Sequence, residues 1–108
     1  MNISGEINWY LGDDLAKLKF SESQGAFSID SIMVPAVYRN KGIGRTLISH
    51  ILILADQMGK CVRVSVRPIG EFSEERLQRL IRYYKSFGFE IEDRGHSIAY
   101  LVKNIMKK

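Results

Sequence analysis

The chain has 108 residues, of which 45% are hydrophobic and 26% charged, and its net charge is +4. This predicts one domain over residues 1–108 and excludes disordered, repeat and fibrous classes. A single cysteine excludes an intramolecular disulfide and, with only two histidines, argues against a zinc site, so we expect no metal. Without a secretory signal or an apolar stretch of ~20 residues, we expect a cytoplasmic protein that does not enter membranes.

The first third of the chain predicts three short strands between residues 3 and 34, because short polar turns at residues 12–14 and 23–25 separate them. The third strand covers residues 26–34 and ends before Pro35. Strict alternation along this strand predicts that Ser28, Asp30, Ile32 and Val34 share one face of the sheet, and that the residues between them share the other.

The rest of the chain predicts two helices and three strands. Apolar residues at helical spacing begin at Ile43 and stop at Gly59, and residues 61–67 alternate as a strand. Ser73 is a candidate cap for a second helix that ends before Gly88. Two strands follow at residues 89–92 and 97–105. A strand-helix-strand unit predicts that the third and fourth strands are parallel neighbours in an α/β mixed sheet.

Residues 38–47, YRNKGIGRTL, form a basic, glycine-rich turn that leads into the first helix. Glycines let a ligand approach the main chain, and the first N–H groups of a helix attract anions. The segment therefore predicts an anion site, although it could simply be a tight connection with solvated basic residues. It lacks the spacing of a P-loop and the third glycine of a dinucleotide fingerprint.

The sequence RNKGIG resembles the acetyl-CoA-binding motif of the GNAT superfamily of N-acetyltransferases, which is Arg or Gln, two residues, Gly, one residue, and Gly or Ala. Residues 83–89, YYKSFGF, are similar to the family's second signature, an aromatic-Tyr pair followed by three residues and Gly-Phe. The resemblance implies a short GNAT-like fold without the usual N-terminal strand and two helices. Its order would be three antiparallel strands, helix, parallel strand, helix and a C-terminal two-strand hairpin.

The resemblance also implies that acetyl-CoA is the cosubstrate and lies between the third and fourth strands. Main-chain groups of Ile32, Met33 and Val34 would bind the pantetheine arm and polarise the thioester. Tyr84 would be the general acid that protonates the CoA thiolate, unless it only packs the core. The residues implied in pyrophosphate binding are Arg39, Asn40, Lys41, Gly42, Ile43, Gly44, Arg45 and Thr46.

The general base is less evident in the sequence. Asp30 is the first candidate, and the alternatives are that it is an ordinary strand residue or that a water relay replaces a side-chain base. His96, in the turn of the last hairpin, is the second candidate because histidine titrates near neutral pH.

These inferences predict transfer of an acetyl group from acetyl-CoA to an amine, in a small molecule or a protein. The shortened N-terminal region could leave an open groove for a polypeptide, or could be completed by a second copy in a homodimer. One alternative function is a weak or inactive CoA-binding or partner-docking protein. A basic nucleic-acid-binding protein is the other, and it would use the helix stripe formed by Arg76, Arg79, Arg82 and Lys85.

Overall fold

A computed structural model of the protein describes residues 3–104. In chain order the elements are β1 (Ile3–Leu11), β2 (Asp14–Ser23), β3 (Ala26–Met33), a 3₁₀ turn (Ala36–Tyr38), α1 (Ile43–Gln57), β4 (Cys61–Val66), α2 (Glu74–Lys85), β5 (Glu90–Arg94) and β6 (Ala99–Lys103). This order confirms the α/β fold class expected from the sequence.

The strands form one six-stranded sheet in the order β1-β2-β3-β4-β6-β5. Strands β3 and β4 pair in parallel, and the other neighbours pair antiparallel. The expected parallel pair around a crossover helix is therefore confirmed, and it joins two antiparallel three-stranded halves at the centre of the sheet.

The hydrophobic core lies on one face of the sheet. In β4 the buried residues are Val62, Val64 and Val66, whereas Arg63 and Ser65 between them are exposed. Both helices contribute to the core cluster that contains these valines. The opposite face, which we call the uncovered face, has no helix packed on it among residues 3–104. The protein is thus a two-layer structure with one bare sheet surface.

The element ends differ from the predicted ones by a few residues. Strand β3 ends at Met33 and β4 at Val66, because the main chain has to turn before Pro35 and Pro68, which cannot donate to a ladder. The last hairpin is shorter than predicted at its C-terminal end and shifted by about two residues at its turn. The end of the predicted last strand, at residue 105, lies outside the described residues.

A β-bulge at Asp30 makes the predicted alternation of β3 wrong. Lys19 pairs with Ser31 and Phe20 pairs with Ile29, so Asp30 is an extra residue on β3 with no partner on β2. The extra residue reverses the facing of everything beyond it. As a result Ile32 packs against the core together with Ile29, instead of sharing the uncovered face with Asp30.

Candidate active site

The parallel strands β3 and β4 open away from each other halfway along their length. Their pairing runs from Ala26 and Cys61 to Ile29 and Val64, and the bulge at Asp30 follows at once. Beyond this point the main-chain groups of residues 30–33 have no strand partner on the β4 side. Ligands favour crevices at the carboxyl ends of parallel strands, so the opening is a candidate binding site. Ile32 and Met33 lie along one side of it.

The glycine-rich turn lies at the mouth of this opening and forms the start of α1. Asn40 and Gly42 both have positive φ, 63° and 80°, which turns the chain sharply into the helix. Gly42 is the N-cap and offers no side-chain oxygen, so no capping side chain occupies the first-turn N–H groups of a 15-residue helix. These groups, with the helix dipole, can bind an anion.

A cleft of about 470 Å³ lies over this turn, and we call it the loop cleft. It is lined by Val34, Tyr38, Arg39, Asn40, Gly42, Ile43, Gly44, Arg45 and Tyr83. Most of the residues expected to bind pyrophosphate are therefore brought together. The side chain of Ile43 is buried in the core, so only its main chain is available to a ligand. The hydroxyl of Thr46 donates to the Gly42 carbonyl within the helix.

Two arginines of the turn make contacts that fix the shape of the loop cleft. Arg39 Nε donates to the Val34 carbonyl at 3.0 Å and so ties the turn to the end of β3. The Arg45 guanidinium lies 4.5 Å from the Phe87 ring centroid and donates to Ser86 Oγ at 3.2 Å. It therefore joins α1 to the end of α2. Lys41 is exposed beside the first turn of α1, with its amine free to meet a phosphate.

The two adjacent tyrosines of α2 lie in different surroundings. Tyr84, the expected general acid, is 8% exposed and packs edge-on against Phe89, and burial raises its pKa to about 12. Tyr83 lines the loop cleft, and its hydroxyl would be 3.7 Å from a Cβ placed on Gly44. Burial raises the pKa of Tyr83, and the charge of Arg45 opposes that shift.

Sequence reasoning did not single out Tyr83, although a signal for its position is present. The apolar stripe of α2 contains Leu77, Ile81 and Tyr84, which face the core. Tyr83 instead continues the line of Arg76 and Arg79, and all three line a neighbouring groove of about 520 Å³. An aromatic residue in a basic helix stripe is the signal that points to a cleft.

Asp30 lies on the uncovered face, where Ser21 Oγ donates to its Oδ1 at 3.1 Å. It lines a recess of about 380 Å³ that we call the sheet-face recess. The recess lies where β3 and β4 part, and its lining includes Ser28, Arg63, Ser65, Glu92 and Tyr100. His96, the second candidate base, is exposed, contacts Phe72 and does not line this recess.

Much of the basic stripe on α2 is engaged in local contacts. Arg76 donates to the carbonyls of Ile69 and Glu71, and Arg79 forms an ion pair with Glu75 at 3.4 Å. These two arginines shape the loop before α2 and the groove beside it. Arg82 and Lys85 are exposed near the end of the helix.

The described part of the chain offers no cluster of three or more metal-ligating side chains. No helix within residues 3–104 is long and apolar enough to cross a membrane.

These features define a mixed-sheet α/β fold with a ligand cleft at an opened parallel strand pair. A sequence-family model, that of the acetyltransferase (GNAT) domain, matches residues 6–91 of the chain. The chain therefore belongs to the GNAT acetyltransferase family. A comparison with curated proteins gives no match.

Solved structures with this fold are similar to the chain over most of its length, and they differ in how much of their own length is matched. The ribosomal-protein-S18-alanine N-acetyltransferase of Escherichia coli is 15% identical with a TM-score of 0.76, covering 97% of this chain and 72% of its own. The PaiA N-acetyltransferase of Thermoplasma acidophilum, solved with coenzyme A, is 16% identical with a TM-score of 0.74, covering 94% and 60%. The anti-CRISPR protein AcrVA5 is 21% identical with a TM-score of 0.64, covering 89% and 97%. AcrVA5 is thus matched over nearly its whole length, whereas the two acetyltransferases extend beyond the matched region.

Proposed function

We propose that the protein is an acetyl-CoA-dependent N-acetyltransferase that passes the acetyl group directly to an amine acceptor. The observation that carries this proposal is the opening between β3 and β4, with the RNKGIG turn and the uncapped start of α1 at its mouth. The opening provides unpaired main-chain groups along a crevice, and the turn with the start of α1 provides an anion site at its end. A CoA ester has an extended amide-bearing arm and a pyrophosphate in the same order.

In this proposal the turn holds the cosubstrate by its phosphates. The first-turn N–H groups of α1, from Ile43 to Arg45, donate to the pyrophosphate, and Lys41 and Arg39 supply positive charge. Unpaired main-chain groups of Ile32 and Met33 bind the pantetheine arm, as an additional strand would. An N–H group near the bulge polarises the thioester carbonyl as negative charge develops on its oxygen.

The proton transfers in the proposed reaction are assigned to Asp30 and Tyr84. The carboxylate of Asp30 accepts a proton from the acceptor ammonium, directly or through water, and the free amine then attacks the thioester carbon. The C–S bond breaks as the C–N bond completes, and the departing thiolate takes a proton from the Tyr84 hydroxyl. The nitrogen of the new amide gives up its second proton through water to the resulting phenolate, which restores Tyr84. With a pKa of about 12, this phenol is fully protonated at neutral pH and so available as a donor.

Binding of acetyl-CoA to the purified protein, measured by calorimetry and thermal unfolding, tests the proposed site. Gly44→Ala and Gly44→Glu form a matched pair, because a Cβ at Gly44 meets only ordinary contacts at 3.7 and 3.9 Å. We expect Gly44→Ala to fold normally, and Gly44→Glu to lose at least about tenfold in affinity through repulsion of the phosphates. Failure of the wild-type protein to bind at millimolar acetyl-CoA would overturn the proposal.

The burial of Tyr84 favours a second candidate function, a CoA-binding protein without turnover. Release of free CoA thiol in the presence of amines separates the two candidates. For an acetyltransferase, we expect Tyr84→Phe to lower kcat by about 10²-fold or more with little change in cosubstrate affinity. Tyr83→Phe is the matched variant, and a larger loss of kcat there would assign the proton donor to Tyr83. Binding without thiol release by the wild-type protein would support the second candidate.

A further inference from the structure

We propose that the uncovered face of the sheet binds the acceptor, and that this acceptor is a lysine side chain within a basic polypeptide segment. The inference rests on the proposed acetyl transfer and specifies its substrate class. The sheet-face recess would receive the lysine ammonium, and the surrounding strand surface would receive the chain on either side of it.

The sheet-face recess lies beside the opening that leads to the loop cleft. The β3–β4 ladder ends at Ile29 and Val64, so no strand pairing closes the sheet beyond them. The loop cleft is on the helix side of the sheet, and the recess is on the uncovered side. An ammonium in the recess therefore approaches a thioester in the opening from the face opposite to the helices.

The bulge gives Asp30 a free oxygen in this recess. Its Oδ1 accepts the hydrogen bond from Ser21, and its Oδ2 has no partner among the described residues. Glu92 is a second carboxylate of the recess, and both of its oxygens accept hydrogen bonds from Arg63, at 3.1 and 3.4 Å. Because Arg63 already engages Glu92, the free oxygen of Asp30 is the group next to the opening that can hold a cation where the reaction requires an amine.

The negative charge extends beyond the recess along the edge of the sheet. The register places Glu90 opposite Val102 and Asp93 opposite Tyr100, on the same face as Arg63. Three carboxylates, those of Glu90, Glu92 and Asp93, thus share the half formed by β4, β6 and β5 with one guanidinium, that of Arg63. Asp30 lies beside this half on β3, and the local charge is negative although the whole chain carries a net charge of +4. On β2, Lys17 and Lys19 occupy the far side of the same face, and Lys17 lies 3.9 Å from Glu6. The charge is complementary to a basic segment that crosses β4, β6 and β5.

The open shape of this surface favours a polypeptide over a small amine. A small ligand is usually enclosed on most sides, whereas here no described element covers the sheet. Tyr100 is half-exposed at the recess and its ring offers a surface for the aliphatic stem of a lysine. A peptide laid across several strands gains contacts that a free polyamine cannot make.

The test compares acetyl transfer to three acceptors, measured by mass spectrometry with the full-length protein. They are a short peptide with one lysine flanked by arginines, the same peptide with the lysine flanked by glutamates, and spermidine. Both peptides have blocked N-termini. We expect kcat/KM for the basic peptide to exceed that of the acidic peptide and of spermidine by at least about tenfold, and to fall with added salt. A preference for spermidine or the acidic peptide would overturn the inference.

A double charge reversal, Glu90→Lys with Asp93→Lys, tests the surface without touching the recess carboxylates. We expect a rise of about tenfold or more in KM for the basic peptide, with kcat and acetyl-CoA affinity unchanged. Asp13→Lys with Asp14→Lys, at the β1–β2 turn and the first residue of β2, makes the same charge change away from the β4-β6-β5 half of the sheet and should leave KM unaltered. An unchanged KM in the first variant, or a change in oligomeric state that shows the face to bind a second copy, would overturn the inference.

Calorimetry with acetyl-CoA separates failure of the acceptor inference from failure of the proposed function. If wild-type protein binds acetyl-CoA and releases thiol with some amine while ignoring the basic peptide, only the acceptor inference falls. If acetyl-CoA does not bind, the proposed function fails with it.

Discussion

At the scale of single residues, adjacent positions in the chain acquire different chemistry from what surrounds them. Tyr84 belongs to the core and Tyr83 to the loop cleft, because successive residues of a helix point about 100° apart. Asp30 and Ser31, which strict alternation would put on opposite faces, both lie on the uncovered side because of the bulge. The surroundings of these side chains could not be predicted from residue type alone, because the same residue type occurs both in cores and in clefts.

Because Tyr84 is buried, we expect the free energy of unfolding to fall at alkaline pH. Its pKa is 10.0 when unperturbed and about 12 in the folded protein. Because the raised pKa favours the neutral form in the fold, its contribution is complete below pH 10 and is lost as pH rises toward 12. We expect a loss of about 2 kcal/mol in the free energy of unfolding across this window.

Urea unfolding between about pH 9 and about pH 11.5 measures this loss. Tyr84→Phe should be less sensitive to pH over the same range, because it lacks the ionising group. Tyr10→Phe, which removes an exposed hydroxyl, should keep the wild-type dependence. Identical slopes for Tyr84→Phe and the wild-type protein would contradict the expectation.

At the scale of secondary-structure elements, α2 is fixed at both ends. Ser73 Oγ accepts a hydrogen bond from the Arg76 N–H at 3.2 Å, and Arg94 donates to Glu74 at 2.6 Å. The Arg94 hydrogen bond lowers the pKa of Glu74. At the other end, Arg45 joins the helix to α1 through Ser86 and Phe87. The wall of the loop cleft therefore depends on contacts at the termini of α2 as much as on its apolar face.

We expect Ser73→Ala to lower the free energy of unfolding by about 1 kcal/mol, because one N-terminal N–H of α2 loses its partner. Ser73→Asp should restore most of that loss, since a carboxylate can accept the same bond and favours a helix N-terminus. Urea denaturation of the three proteins checks this. Equal stability of Ser73→Ala and the wild-type protein would show that the cap contributes nothing.

The order and type of the elements could be predicted from the sequence because they follow periodicity and turn residues. The apolar spacing from Ile43 predicts α1, and the alternation after Cys61 predicts β4. The Asp30 bulge could not be predicted, because the polar-apolar pattern of β3 fits an unbroken strand equally well and only pairing with β2 reveals the extra residue. Glycines and basic residues located the anion-binding turn, and the resemblance added its expected ligand. Neither indicated the stacking of Arg45 on Phe87 or the recess beside Asp30.

At the scale of the whole molecule, one apolar layer between the sheet and two helices carries the stability. Leu101 lies in the middle of it with 0% exposure, whereas Ile69 is 92% exposed in the loop before α2. We expect Leu101→Ala to cost about 2–5 kcal/mol, a large part of the stability of a domain of this size. Ile69→Ala should change stability by less than about 0.5 kcal/mol.

Thermal and urea unfolding of the two variants measure the difference. Comparable losses for Leu101→Ala and Ile69→Ala would mean that the apolar layer is not the main stabilising region. Within residues 3–104 the uncovered face carries no second apolar layer, so we expect a cavity in the first layer to lower stability without compensation.

The parallel ladder between β3 and β4 consists of four residue pairs, and it is the one place where strands of the first and second halves of the described chain meet. Each half is contiguous in sequence and contains three strands and one helix. The turn around Gly59 joins the two halves. A break in that turn would leave two fragments that share one core cluster, so they would have to reassociate to bury it. A ligand of the opening would lie against both fragments, so reassociation of the cut protein would depend on the concentration of that ligand.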